Sequence, residues 1–228
     1  EVASRLGLAG IPVAAETIAI GTILQLVRDT GCRVHLTRIS SAAGLAMLQR
    51  AQHDGLPVTC DIGVHHLLLT DNDIGYFNPH ARFSPPLRTE RDRQALSTAA
   101  ASGLAAICSD HTPVGADEKL LPFGEAKAGA TGLEVLLPLT LKWAEAAGVA
   151  LSVALARITS APAEVLGLQS GQLAVGAAAD VCVFDPATVW QLTPEALKSR
   201  GKNSPWTGYL LNGKVKKTLV GGRLVYQA

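Results

Sequence analysis

LAAICSDHTPV, from Leu104 to Val114, joins a short apolar run to an aspartate and then to a turn at Pro113. The apolar residues are typical of a buried strand, and Asp110 follows at the carboxyl end of that strand. In α/β barrels the catalytic side chains lie at that end of the parallel strands. The stretch therefore predicts a barrel strand with Asp110 in the functional site.

Strand-like and helix-like segments alternate over the first two thirds of the chain. The strands are predicted at Arg33–Ser40, Pro57–Gly63 and Leu104–Ser109. The helices are predicted at Pro12–Thr30, Ser41–His53, Thr89–Ala101 and Gly132–Ala147, and Ile18 and Leu26 of the first have the spacing of a helix face. This alternation predicts parallel strands joined by right-handed crossovers.

The composition changes after about residue 168. Short strands are predicted around the glycines of Gly171–Leu173 and Gly176–Asp185, and a hairpin is predicted over Lys214–Thr218 and Arg223–Tyr226. We therefore expect a barrel part over residues 1–168 and a small C-terminal β domain over residues 169–228.

Length and composition restrict the class of protein. The chain has 228 residues, 48% of them hydrophobic, and a formal charge of +1, which suits a sizeable core and argues against a nucleic-acid or membrane surface. The cysteines share no CxxC spacing and are expected to be buried free thiols in a reducing cytoplasm; they are Cys32, Cys60, Cys108 and Cys182. The chain begins without Met, in a loop-like stretch. We therefore expect that the N-terminal half of a longer protein is missing and that this absent half is a partner of residues 1–228.

Two histidines directly follow the second predicted strand. His65 and His66 belong to the stretch Asp61–Asp71, and Asp110 holds the equivalent place on another strand. Neutral imidazole at a strand end is a good zinc ligand, so the two strand ends together predict a metal site.

Several motifs, taken in order, resemble the dihydroorotase family. Cys60–Asp71 is similar to its Pro-His-His-Leu-Leu-Leu-Thr-Asp segment, in which a glutamate precedes the proline, and Phe83–Arg88 is similar to its Asn-Pro-Pro-Leu-Arg. Asn203–Gly208 is similar to Asn-Thr-Pro-Phe-x-Gly, with Trp206 in place of the phenylalanine and expected to pack beneath the β domain. Each match is short, but together they span nearly the whole chain.

The resemblance implies the amidohydrolase superfamily and its fold. We expect an α/β protein that forms the C-terminal half of a (β/α)8 TIM-type metal-dependent hydrolase barrel, about strands five to eight, plus a small β module. The family's His-x-His motif and bridging lysine would lie in the absent half. Zinc is the cofactor that the resemblance implies.

Carrying the family's metal residues over gives an incomplete set. His65 falls on a metal histidine, and Asp110 falls on the residue that is both metal ligand and catalytic general base. Arg38 of HLTRIS, residues 35–40, stands where the family has another metal histidine. Guanidinium has no lone pair for a metal, so we expect zinc to be absent or substoichiometric. We expect Arg38 to face Asp110 instead and to lower the pKa of that carboxyl group.

The substrate-binding positions of the family are also changed here. Val114 stands where a histidine would hydrogen-bond the substrate carboxylate, and Ser84 stands for an asparagine. Arg88 keeps the family's residue type and is expected to anchor a loop or to contact a substrate anion.

The resemblance implies the reversible cyclisation of N-carbamoyl-aspartate to dihydroorotate in pyrimidine biosynthesis. Because Arg38 and Val114 replace functional histidines, we expect a catalytically impaired protein, a pseudoenzyme that acts as a structural subunit for aspartate carbamoyltransferase. Two alternatives stay open: an active zinc-dependent dihydroorotase, and a related cyclic-amide hydrolase such as an allantoinase or hydantoinase, against which Arg38 counts.

Overall fold

The computed structural model describes residues 2–228, which contain two three-stranded sheets. The first sheet is parallel and has the order β1 (Val34–Leu36), β2 (Val58–Gly63) and β3 (Ala106–Cys108). The second is antiparallel, with β4 (Val181–Gln191), β5 (Leu210–Val220) and β6 (Arg223–Gln227) in sequence order. The predicted alternation of parallel strands and helices is confirmed.

The helices lie between the parallel strands and after them. They are α1 (Val2–Arg5), α2 (Val13–Thr30), α3 (Ala42–His53), α4 (Glu90–Ser102), α5 (Ala116–Leu120), α6 (Leu136–Ala147), α7 (Leu151–Ala156) and α8 (Ser160–Leu166). Short 3-10 helices cover Val64–Leu67, Asp71–Ile74 and Pro79–Ala81. Helix α5 follows β3, and the Glu118 carboxylate accepts the Gly115 N–H at the start of the helix.

The parallel sheet has three strands in the described residues, where the resemblance led us to expect about four. The segment from Arg82 to Arg88, between β2 and α4, is irregular and forms no ladder. Its centre is Ser84-Pro85-Pro86, and proline has no N–H to donate to a neighbouring strand.

Helix α2 packs against the core through one of its faces. Ile20, Leu24 and Val27 are buried against the core, whereas Ile18 is 70% exposed and Leu26 is 56% exposed. Two apolar stripes share this helix, and the spacing of Ile18 and Leu26 alone did not show which of them packs inward.

The predicted strand at Gly171–Leu173 is wrong. This segment has no ladder partner, and Leu173 is 84% exposed, so nothing holds it extended. The first strand of the second sheet begins at Val181, after a turn in which Gly176 has φ +86°. The boundary between a barrel part and a β domain near residue 168 stays a prediction.

One hydrophobic core runs beneath both sheets. It includes Ile62 of β2, Leu96 of α4 and Trp143 of α6, and it continues to Leu211 of β5. The Trp143 indole N–H donates to Ser97 Oγ at 2.8 Å, so the one polar atom of this large buried side chain has a partner.

The cysteines are free, but only part of the prediction about them is correct. Cys60 is buried and Cys108 is half-buried, whereas Cys32 and Cys182 are exposed. Cys32 directly follows the glycine that ends α2, where the chain turns at the surface, and Cys182 lies on β4, where the strand is largely exposed. Among the described helices, none has both the length and the apolar character needed to cross a membrane.

Candidate functional site

The side chains of Arg38 and Asp110 meet at the carboxyl ends of β1 and β3. Arg38 Nη1 lies 3.2 Å from Asp110 Oδ1 and also donates to the Ser84 carbonyl at 2.8 Å. The Asp110 side chain is 4% exposed, whereas that of Arg38 is 40% exposed. The predicted contact between these two residues is confirmed, and the arginine approaches the buried carboxylate from the solvent side.

Both residues of this pair have left-handed backbone conformations. The φ of Arg38 is 61° and that of Asp110 is 45°. Such conformations are uncommon for residues other than glycine, and each costs about 1–3 kcal/mol unless the surroundings fix it. The turns after β1 and β3 therefore need support from neighbouring groups.

Asp61, a residue that the sequence analysis did not single out, supports the turn after β1. Its carboxylate accepts the Arg38 backbone N–H at 2.7 Å and the Thr37 hydroxyl at 3.0 Å, and it lies 3.0 Å from His35 Nε2. His35 therefore forms its side-chain hydrogen bonds with Asp61 and Thr59 rather than with Asp110. The sequence signal for this role was an acid within the apolar strand β2, at the position of the family's glutamate.

Glu16 of α2 supports the next part of the same loop. Its carboxylate accepts the backbone N–H groups of Ser40 and Ser41 at 2.9 and 3.0 Å, together with both hydroxyl groups. The Ser41 hydroxyl also accepts the Gly44 N–H and so caps α3. Helix α2 is therefore tied to the loop that carries Arg38, a role that the spacing of α2 did not reveal.

Burial governs the proton affinity of Asp110. Desolvation raises the pKa of this carboxyl group above its ordinary value, while the charge and hydrogen bond of Arg38 lower it by a smaller amount. The arginine acts in the expected direction, but desolvation outweighs it.

His65 and His66 are both buried and neutral. Desolvation lowers the pKa of His65 to about 3 and that of His66 to about 4. His66 Nε2 donates to the Pro85 carbonyl at 3.1 Å, and its Nδ1 has no partner. A Cβ built on Gly63 would lie 3.2 Å from His66 Nδ1 and 3.4 Å from Asp110 Oδ2, so the imidazole and the carboxylate approach Gly63 from one side.

The segment Asn203–Gly208 reaches the site from the C-terminal part of the chain. The Asn203 amide accepts the Val114 N–H at 2.9 Å and donates to the carbonyls of Thr112 and Gly129 at 3.0 Å. The Trp206 indole N–H donates to His65 Nδ1 at 3.0 Å. Trp206 was expected only to pack beneath the β domain, so this contact with a candidate metal ligand was missed.

The three candidate substrate positions lie in different surroundings. Ser84 contributes its carbonyl to Arg38, and its side chain is exposed. Arg88 donates to the Ser40 hydroxyl at 3.1 Å and to the Ile11 carbonyl, so it anchors loops. Val114 is 4% exposed and offers no polar side-chain atom. Their roles in binding a substrate stay predictions.

The residues present do not fit a divalent metal ion. Of the three positions that the resemblance assigns to metal, only His65 and Asp110 carry ligand atoms, and the Arg38 cation lies against Asp110. Within residues 2–228, no group of three or more histidine, cysteine, aspartate or glutamate side chains is arranged to hold a metal ion.

A cavity of about 590 Å³ lies beside this site, between the N-terminal segment and the loops before α4. Ile11, Phe83, Leu87 and Arg88 are among the residues that line it, whereas Arg38 and Asp110 do not. The cavity and the ion pair between Arg38 and Asp110 are therefore separate features of the structure.

Comparison with known proteins agrees with this architecture. The family model described as amidohydrolase family matches residues 10–225. A dihydroorotase-like protein of Pseudomonas aeruginosa is 44% identical over 226 residues, which are 99% of this chain and 53% of that protein. A dihydroorotase of a Geobacter species is 40% identical over 228 residues, with 54% of that protein covered. The chain spans about half the length of the curated relatives it matches.

Solved structures give the same result for the fold. The L-hydantoinase (dihydropyrimidinase) of Arthrobacter aurescens is 28% identical and superposes with a TM-score of 0.88 over 95% of this chain and 49% of that one. The yeast dihydroorotase in complex with 5-fluoroorotic acid, at 19% identity, has a TM-score of 0.76 over 90% of this chain and 57% of its own, and shows the fold alone. These structural matches cover a partial α/β barrel and its adjoining sheet. Because the amidohydrolase family model matches residues 10–225, the chain belongs to that family.

Proposed function

We propose that this chain is half of a catalytically impaired dihydroorotase-like protein of pyrimidine biosynthesis, which acts in the cytoplasm as a structural subunit for aspartate carbamoyltransferase. The observation that carries the proposal is the ion pair between Arg38 and Asp110. A general base must be free to take a proton from the reacting group, and the Asp110 carboxylate is instead engaged by a fixed cation.

The substrate side of the site supports the same proposal. Val114 is buried and cannot donate a hydrogen bond to a substrate carboxylate, whereas a histidine at that position could. A lost hydrogen bond to a charged group is worth about 1.5–3 kcal/mol, which weakens binding of a carboxylate substrate by roughly one to two orders of magnitude. The names of two relatives, dihydroorotase-like protein and dihydroorotase, support this substrate class.

The alternative is an active zinc-dependent dihydroorotase or a related cyclic-amide hydrolase. It is favoured by the raised pKa of Asp110, because a carboxylate whose pKa lies nearer to neutrality is a better proton acceptor. The likeness to an L-hydantoinase structure is in line with a cyclic amide as substrate.

The test is an assay of purified protein in both directions, with N-carbamoyl-aspartate and with dihydroorotate, alongside Asp110→Asn. The proposal predicts no turnover above the Asp110→Asn background in either direction. Turnover that Asp110→Asn abolishes would establish the active alternative.

A second measurement is size-exclusion chromatography with purified aspartate carbamoyltransferase, which should show co-elution. Two separate peaks at micromolar concentrations would contradict the structural role.

A further inference from the structure

The hydrogen bond between Trp206 and His65 determines which nitrogen of the imidazole carries the proton. The indole N–H can only donate, so His65 Nδ1, 3.0 Å away, must present a lone pair. A neutral imidazole has one protonated nitrogen, which is then Nε2. Doubly protonated His65 would place two N–H groups against each other and is excluded by the same contact.

Trp206 is fixed in this position by its own segment. It is 3% exposed, and its backbone N–H donates to the Ser204 hydroxyl at 3.2 Å. Asn203, 2% exposed, is bound to the carbonyls of Thr112 and Gly129 on the other side. The indole therefore has little freedom to release His65, and the imidazole itself is fully buried.

We propose that Trp206 is a positioning residue that holds His65 as its Nε2–H tautomer, so that this position is a hydrogen-bond donor rather than a metal ligand. Coordination through Nε2 needs a lone pair there and a proton on Nδ1, and that proton would point at the Trp206 N–H. Within the described residues Nε2 is buried without a hydrogen-bond partner, so the contact of Trp206 with Nδ1 is what fixes the tautomer. The family pattern has phenylalanine at this position, which lacks the N–H that enforces the tautomer.

This inference is independent of whether the protein is catalytic. The Trp206 contact is a second change that acts against metal binding. It is remote in sequence from Arg38 and comes from the C-terminal part of the chain. It predicts that a histidine at residue 38 does not by itself rebuild a metal site with His65 and Asp110.

Nitrogen-15 NMR of the histidine side chains tests the tautomer directly. The signals of His65, identified by their loss in His65→Gln, should show an unprotonated Nδ1 and a protonated Nε2. In Trp206→Phe the His65 signals should move toward the Nδ1–H form. His66, whose Nε2 donates to the Pro85 carbonyl, is the internal control and should keep Nε2–H in both proteins. A protonated Nδ1 on His65 in the unmodified protein would overturn the proposal.

Zinc affinity tests the consequence. Arg38→His and the double variant Arg38→His/Trp206→Phe are compared by competition with a chelating dye at neutral pH. The double variant should bind zinc about 10- to 100-fold more tightly, the range by which groups that orient a metal ligand affect affinity. Equal affinities would overturn the proposal. If the double variant does not fold, the NMR signals of the unmodified protein decide the question alone.

Discussion

The Asp110 carboxylate is buried at the carboxyl end of β3. An ionised carboxylate among apolar strand ends is costly unless a cation or hydrogen bonds compensate it. The Arg38 guanidinium supplies that compensation from the solvent side. The turn after β1, held by Asp61 and Glu16, and the turn after β3 bring the two side chains together.

Replacing Arg38 by methionine should therefore destabilise the protein in a pH-dependent way. Without the cation, the pKa of Asp110 rises further, so the folded state holds a proton to higher pH than the unfolded state. The stability loss relative to the unmodified protein should be largest near pH 7 and should shrink as the pH falls toward 4, because folded Asp110 then becomes protonated with or without Arg38. We expect the free energy of unfolding to fall by about 1–3 kcal/mol at pH 7. This loss is smaller than for a fully buried ion pair, because solvent screens the exposed arginine. Urea unfolding at both pH values measures it.

The matched control is the same substitution in an Asp110→Asn background. There the carboxylate is absent, so Arg38→Met should cost much less and should show no dependence on pH. An equal cost in both backgrounds would mean that Arg38 stabilises the fold through the Ser84 carbonyl rather than through Asp110.

The two buried histidines predict loss of stability on acidification. Their pKa values, about 3 and about 4, lie below the ordinary value of 6.5, so the unfolded state takes up protons that the folded state does not. Stability is present above pH 6.5 and should fall below it, by up to about 1.4 kcal/mol per pH unit for each histidine. His66→Gln should reduce the slope, whereas His53→Gln, whose ring is 90% exposed, should not. A slope unchanged by His66→Gln would contradict this origin.

At the residue scale, the sequence was informative where a residue type is chemically incompatible with a role. Arg38 could be placed opposite Asp110 because the resemblance puts it at a metal-ligand position, and a guanidinium cannot bind a metal. Asp61 and Trp206 were missed because their partners are 23 and 141 residues away in the chain, and only the folded structure brings them together.

Among the elements, α4 has the clearest local signal for its start. The Thr89 hydroxyl accepts the Asp92 N–H, and the Asp92 carboxylate accepts the Thr89 hydroxyl and N–H in return. Thr89→Ala should lower the free energy of unfolding by about 1 kcal/mol. The control is Thr98→Ala in the same helix, also exposed, which should be neutral or slightly stabilising because alanine is the better helix former. Thermal unfolding of both variants checks this, and equal effects would contradict the capping role.

Element boundaries were predictable where capping residues mark them and not elsewhere. Helix α3 begins after Ser41 and α2 ends at Gly31, as the sequence indicates. The strands β1 and β3 are shorter than predicted, because their last residues turn away to form the site. The segment Gly171–Leu173 looked like a strand from its residues but has no neighbour to pair with.

For the whole molecule, the continuous core predicts that the two sheets unfold together. Leu211 of β5 is 2% exposed and belongs to the same cluster as Trp143 of α6. Leu211→Ala should lower stability by about 2–5 kcal/mol and shift a single transition. Leu210→Ala, at the neighbouring position but 66% exposed, should change stability by less than about 0.5 kcal/mol. Separate transitions by fluorescence and circular dichroism would show that the sheets unfold independently.

The parallel α/β class was predictable from the alternation of strands and helices, because that pattern is repeated along the chain and does not depend on any single residue, whereas the half barrel was implied by the family resemblance. The contacts between the C-terminal segment and the barrel strands were not predictable, because they depend on packing between distant parts of the sequence. Asn203 and Trp206 are where that partnership reaches the functional site.

The most direct test of the central claim, that Arg38 on Asp110 has replaced the metal, is the metal content of the purified protein. Cells are grown with added zinc, and bound metal is counted per chain by mass spectrometry after exhaustive buffer exchange. We expect well below one zinc per chain, and the same value in Asp110→Asn. One or more tightly bound metal ions per chain, lost in Asp110→Asn, would contradict it.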